Sequence, residues 1–168
     1  MAARALTILL ITTLFAAGCD PAPKSPEQIR QAIADADIQP VTINGKTFNL
    51  EIAATHDKRV QGLSDRESIA DDGGMIFVFK APARRAFVMR RCLVPIDILF
   101  LDPDGTIVRS HAMKVEPYDR SELALKRYNS RWPAQFAIEL QGGMIEKLGI
   151  EDGQTIDLPL DKLKALAE

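Results

Sequence analysis

The chain has little of what the easily named chemistries require. Of its 168 residues only two are cysteine, two histidine, two tyrosine and one tryptophan. Two cysteines, Cys19 and Cys92, are too few for a disulfide-stapled scaffold or a zinc ribbon. No Cys-x-x-Cys or Met-x-x-Met spacing occurs, and no cofactor motif is present. Charge of one sign is also missing: 21 Lys and Arg stand against 23 Asp and Glu, a formal charge of −2, with no basic tract. That argues against nucleic acid as a partner, because phosphate neutralisation needs clustered cations. The longest apolar run, Ala5 to Ala17, includes threonines and falls short of the roughly 20 residues of a spanning helix. There is no internal repeat.

What is present begins with an address. Arg4, the run to Ala17, the small residues Ala16, Ala17 and Gly18, and then Cys19 have the architecture of a secretory signal. Small residues directly before a cysteine resemble the lipobox of bacterial lipoproteins, although Ala16 stands where such boxes usually carry leucine. A plain signal peptide cut nearby is the alternative. The expectation is a signal peptide over 1–18 and acylation of Cys19, tethering residues 19–40 on the periplasmic side of the cell envelope. Asp20 resembles a signal for retention at the inner membrane. With Cys19 lipidated, Cys92 is the only remaining thiol, either buried and inert or used.

The proline-rich "PAPKSP" reads as an extended spacer. "SPEQIRQAIADAD" reads as a short helix with Ser25 as cap and Gln28 as capping-box partner. The domain proper is placed at 41–160. Asn44-Gly45 between alternating apolar residues predicts a hairpin with a type I′ turn. "THDKRVQGL" predicts a helical turn or two, capped by Thr55 and stopped by Gly62. "GGMIFVF", "RAFVM", "IDILFLD", "TIVRSHAMKV" and "PAQFAIEL" read as separate strands, and "EDGQTIDL" as a turn and a last strand. Glu116 to Trp132 reads as a long polar connection. "GGMIEKLGI" and the tail 161–168 read as short helices. No βαβ rhythm is visible. Many short strands with Gly and Pro punctuation argue for a mainly β domain, a compact sandwich with a few short helices.

"RVQGLSDRESIADDGGMIFVF", "FVMRRCLVPIDILFLDPDGTIV" and "YNSRWPAQFAIELQGGMIEKLGIEDGQTIDL" resemble, in order and spacing, the domain of unknown function 192 family. The resemblance covers about Val41 to Leu158. It implies a compact jelly-roll-like β-sandwich, often secreted or lipid-anchored, and little about activity. One stretch departs from the family pattern, which reads aromatic-Trp-Met-Lys-Asn-Thr where this chain has Phe87-Val88-Met89-Arg90-Arg91-Cys92. Met89, Pro95 and Asp97 remain.

Several residues carry candidate chemistry. Asp97 enters an apolar run, where a carboxylate must find partners or face a ligand. It is either an acid/base or ligand-facing group, or an acceptor for backbone N–H groups or for Arg59 or Arg66. His111 and Met113 alternate on one strand face and, with Met89 and Cys92, make a possible Cu(I) donor set; methionines on strands also simply fill cores. Arg90 and Arg91 would favour a Cys92 thiolate, with His56 or His111 as base. Arg84, Arg85, Arg90 and Arg91 form either an anion-binding patch or a solvated rim. Tyr128, Ser130 and Trp132 fall on the expected long loop, where binding groups tend to live. The resulting expectation is a lipid-anchored envelope module that binds rather than catalyses. Its site would comprise Met89, Arg90, Asp97, Tyr128, Ser130 and Trp132, and its partner would be a small anionic or carbohydrate-like ligand or another envelope protein. The alternatives are a copper protein using His111, Met113, Met89 and Cys92, and a hydrolase using Asp97.

Overall fold

The computed structural model describes residues 37–167. The signal segment, Cys19, Asp20 and the helix expected from Ser25 onward lie outside the described residues. Six strands are present: β1 (Ile38–Ile43), β2 (Lys46–Ala53), β3 (Gly73–Phe87), β4 (Ile96–Leu101), β5 (Ile107–Met113) and β6 (Tyr128–Gln141). Three short helices accompany them: α1 (His56–Gln61), α2 (Met144–Leu148) and α3 (Leu160–Leu166). The domain is therefore mainly β, as expected. All six strands join in one mixed sheet of order β1-β2-β3-β6-β4-β5.

The local signals act as predicted where they are strongest. Asn44 and Gly45 both take positive φ, 46° and 81°, as a type I′ turn demands, and Ile43 pairs with Lys46 across it. Thr55 caps α1 by accepting the Lys58 N–H at 3.3 Å, and Gly62, at φ 53°, ends the helix. Gly149, at φ 60°, ends α2.

Other expectations are corrected. β2 and β3 pair in parallel, with α1 in the crossover between them, so a βαβ unit does exist. Its helix is only six residues long and has no buried residue, too short to print an amphipathic period. "GGMIFVF" and "RAFVM" belong to one fifteen-residue strand, β3. Its pairing with β6 shifts between Val78 and Ala83, which accommodates Pro82, a residue with no N–H for the ladder. The stretch Tyr128 to Trp132 is the first part of β6, not loop. "EDGQTIDL" forms a turn and the single bridge Thr155 to Thr106 rather than a strand.

Both faces of the central strands are covered. One carries Leu50, Ile76, Leu99, Leu101, Phe136 and Ile138 against α2, α3 and the 150–158 segment. The other carries Phe77, Ile96, Ile98 and Phe100 against Leu63, Ile69, Met89 and Cys92 from the connecting segments. All six residues of β4 are buried, which explains its unbroken apolar sequence: a strand with two dry faces has no solvent side to mark by alternation.

Candidate functional site

Among the described residues the two covered faces hold two buried carboxylates, one on each. Asp97 in β4 pairs with Leu140, and Glu139 in β6 pairs with Ile98, so their side chains leave opposite sides of the sheet. Asp97, 1% exposed, points to the helix side. There its Oδ2 accepts the Ile145 N–H at 2.7 Å, in the first turn of α2. Gly143, the cap residue of α2, has no side chain to offer, so a carboxylate from a neighbouring strand satisfies an end donor instead. Asp97 Oδ1 has no hydrogen-bond partner among the described residues.

The other residues expected at a site are divided among several places. Met89 is 1% exposed and packs in the core beside Cys92 and Phe77. Tyr128 is buried, its hydroxyl accepting the Lys114 N–H at 3.2 Å. Ser130 Oγ accepts the Arg85 N–H at 2.9 Å and donates to the Trp132 carbonyl at 2.6 Å, pinning β6 to β3. These three are structural groups. Asp97 lies across the sheet from Met89 and Arg90, so the six are not one constellation. Only Arg90 and Trp132 reach open concavities.

The soft donors fare similarly. Met89, Cys92 and Met113 are core residues on one face. His111 Nε2 is 2.9 Å from the Asn129 carbonyl oxygen, and its ring packs edge-on against Phe100 and Tyr128. No group of three or more His, Cys, Asp or Glu suited to a metal occurs among the described residues. The Cys92 thiol is pushed up to about 12, chiefly by burial and then by Glu139, with Arg90 opposing too weakly to matter. It stays protonated and is no nucleophile at neutral pH.

The two arginines just before Cys92 divide as well. Arg91 leaves the core for the surface at φ 53°, where its Nε donates to Asp65 Oδ1 at 2.9 Å and to the Tyr118 hydroxyl at 3.0 Å. It ties three connecting segments together. Arg90 turns the other way, donating to the Val60 carbonyl and pairing with Glu122 at 3.5 Å.

Arg90 marks the rim of a cavity of about 540 Å³ between α1, the turn after it and β3. Its walls are aromatic: Phe77, Phe79 and Phe87, the outer two meeting Phe87 edge-on at 4.9 and 6.5 Å between centroids. Four guanidinium groups line it, from Arg59, Arg84, Arg85 and Arg90. Arg59 donates to the Ala54 carbonyl and, at 3.1 Å, to the Val78 carbonyl. Arg85 lies 3.9 Å over the Phe79 ring and donates to the Ala81 carbonyl at 2.6 Å. Neither Arg84 nor Arg85 has a carboxylate partner among the described residues. Burial, and then the like charge of Arg59, lowers the Arg85 pKa.

The cavity also reaches Glu139, which sequence reasoning missed. Glu139 is 5% exposed and accepts no hydrogen bond among the described residues. Gly62 leaves room beside it: a Cβ there would stand 3.8 Å from Glu139 Oε2. Burial pushes its carboxyl up to about 8, against the weaker pull of Arg66. Arg66 is itself held by Glu51 through two hydrogen bonds, at 2.5 and 2.8 Å. The signal was available, since "AQFAIELQ" sets a carboxylate inside an apolar strand just as "PIDILFL" does. A second, shallower groove of about 380 Å³ adjoins, sharing Arg84 and Arg85 and adding Asn129, Arg131 and Trp132.

These features belong to a mainly β domain with an arginine-lined cavity over a buried acid. The chain is a member of the domain of unknown function 192 family, described as "Uncharacterized ACR", whose model matches residues 39–158. Among solved structures, a protein of unknown function from Novosphingobium aromaticivorans DSM 12444 is 30% identical, with a TM-score of 0.63 over 72% of this chain and 85% of that one. A protein from Sinorhizobium meliloti 1021, described as a candidate transcription regulator, is 32% identical, with a TM-score of 0.59 over 71% and 90%. No curated protein matches.

Proposed function

We propose that this protein is a ligand-binding module of the bacterial envelope, tethered through lipid on Cys19 on the periplasmic side, with the α1–β3 cavity as its site for a small anion. The observation that carries the reading is the pairing, in one cavity, of two guanidinium groups, Arg84 and Arg85, that have no carboxylate partner among the described residues with a mostly buried carboxyl, Glu139, to which none of those residues donates. Side chains left unneutralised and unsatisfied in a concave, aromatic-walled space are the common mark of a binding site. The size fits a small molecule. Binding is preferred to turnover because the groups first considered for chemistry are occupied elsewhere. Asp97 caps a helix across the sheet, Cys92 is a protonated core thiol, and His111 is tied to a backbone carbonyl.

Regulation of transcription, the description given to the Sinorhizobium protein, finds no support in charge or shape. The formal charge is −2, and the longest helix among the described residues has seven residues. The test is extraction of the full chain from the envelope in mild detergent, followed by intact mass spectrometry and a thermal-shift screen of small anions. Loss of residues 1–18, a lipid-sized addition on Cys19 and stabilisation by an anion are expected. A water-soluble chain that still carries residues 1–18, or no anion that stabilises it, would overturn the anchored or the binding half respectively. A co-purifying envelope protein without any small-anion response would also count against the cavity.

A further inference from the structure

We propose that the cavity selects a small organic anion with two ends: a carboxylate held by Arg84 and Arg85, and an inner oxygen that accepts a hydrogen bond from the Glu139 carboxyl O–H. The inference rests on the cavity reading and names its ligand class. The outer end follows from charge. The Arg84 side chain makes no hydrogen bond or ion pair with any described residue, and the Arg85 guanidinium is satisfied only by backbone carbonyls and the Phe79 face. A planar carboxylate matches the donor fork of a guanidinium. The middle of the ligand is apolar, because Phe77, Phe79 and Phe87 form the walls between rim and floor.

The inner end follows from Glu139. A mostly buried carboxyl to which no protein group donates, with its oxygens open to the cavity, is free to meet a ligand acceptor there. Being neutral at neutral pH, it offers an O–H and not a negative charge, so it welcomes a carbonyl or ether oxygen. Above its pKa it becomes a second anion and repels the same oxygen. The charged and titratable groups facing it are few. Arg66 faces it from the 62–72 segment and is engaged by Glu51. Cys92 faces it from the 88–95 segment and stays neutral throughout. From α1 come His56 and Arg59, from β3 Arg84 and Arg85, and Arg90 comes with Glu122 from the rim. On its own strand Ala137 and Gln141 share its face, β4 adds Ile98, and beyond Ile98 the ring of His111 in β5 stands in the same row.

The experiment compares 4-acetylbenzoate with 4-isopropylbenzoate, which is close in size but has no acceptor, by calorimetry on the full chain in detergent. Near pH 6 the acetyl compound is expected to bind about tenfold tighter, the equivalent of one hydrogen bond. Near pH 9.5 that preference is expected to vanish as Glu139 ionises. In Glu139→Gln, whose amide also donates, the preference is expected to persist at both pH values. Arg85→Gln is expected to weaken both compounds equally, and His56→Gln to leave the pH effect intact. Circular dichroism checks that each variant folds.

Equal binding of the two benzoates at every pH, with both lost in Arg85→Gln, would overturn the role of Glu139 and leave the cavity reading standing. A pH effect abolished by His56→Gln would overturn it too. If neither compound binds while other anions stabilise the protein in the thermal-shift screen, the two-ended ligand class is wrong. If no anion binds at all, the cavity reading falls with it.

Discussion

A carboxylate in an apolar strand announces itself in sequence, but what it is for depends on which side of the strand it leaves. Asp97 and Glu139 carry the same signal and lie on adjacent strands one pairing position apart. One serves a helix end and the other faces a cavity. No alternation in either strand could reveal this, because both faces are buried. Asp97→Ala is therefore expected to strand the Ile145 N–H and cost about 1–3 kcal/mol in urea unfolding, while anion binding stays unchanged. A binding defect in a folded Asp97→Asn protein would contradict the assignment. Cys92 illustrates the same difficulty. The adjacent Arg90 and Arg91 promise a thiolate in sequence, but Arg91 points away to Asp65 and burial dominates. With the pKa raised from 9.0 to about 12, the native thiol should hold about a thousandfold less thiolate at neutral pH than an exposed one. Thiol labelling before and after unfolding in guanidinium measures this, and rapid native labelling would refute it.

Among the elements, those with a local cause were legible and those with a tertiary cause were not. The Asn44-Gly45 turn, the Thr55 cap and the Gly149 stop each depend on one or two residues' own backbone preferences, and each forms as read. The parallel β2–β3 pairing, the continuity of β3 through Pro82 and the early start of β6 depend on which strands meet, which no local window contains. Gly74 shows how such a meeting is fixed. It sits in β3 at φ 153°, where the backbone lies against the Glu139 carbonyl oxygen and the Leu50 side chain, and an added Cβ would strike both. Gly74→Ala should push β3 off β6 and cost roughly 3 kcal/mol or more. The check is a denaturation midpoint beside that of Gly143→Ala, where a Cβ meets nothing within 4 Å. That second variant suffers only the strain of its φ of 92°. Equal losses would mean that conformation, not close approach, is what Gly74 supplies.

For the molecule as a whole, a sheet with two dry faces buries apolar area on both sides, and the cavity floor is where this compactness is given up for a titratable group. The consequence is a pH-dependent stability whose sign is set by Glu139. Its folded pKa, about 8, is raised above the ordinary 4.5. The folded state thus holds a proton that the unfolded state releases between these values. This contribution to stability is fully present below about pH 4.5 and is lost as pH rises through about 8, at about 1.4 kcal/mol per unit. In Glu139→Gln the proton is absent from both states, so the slope should flatten and the variant should exceed the natural protein by roughly 3 kcal/mol near neutral pH. Urea unfolding of both proteins across this range decides the matter. Parallel curves would place Glu139 in a far more polar setting than a mostly buried cavity floor, and a stabilising anion that restored the natural protein at neutral pH would tie the same group to its ligand by linkage.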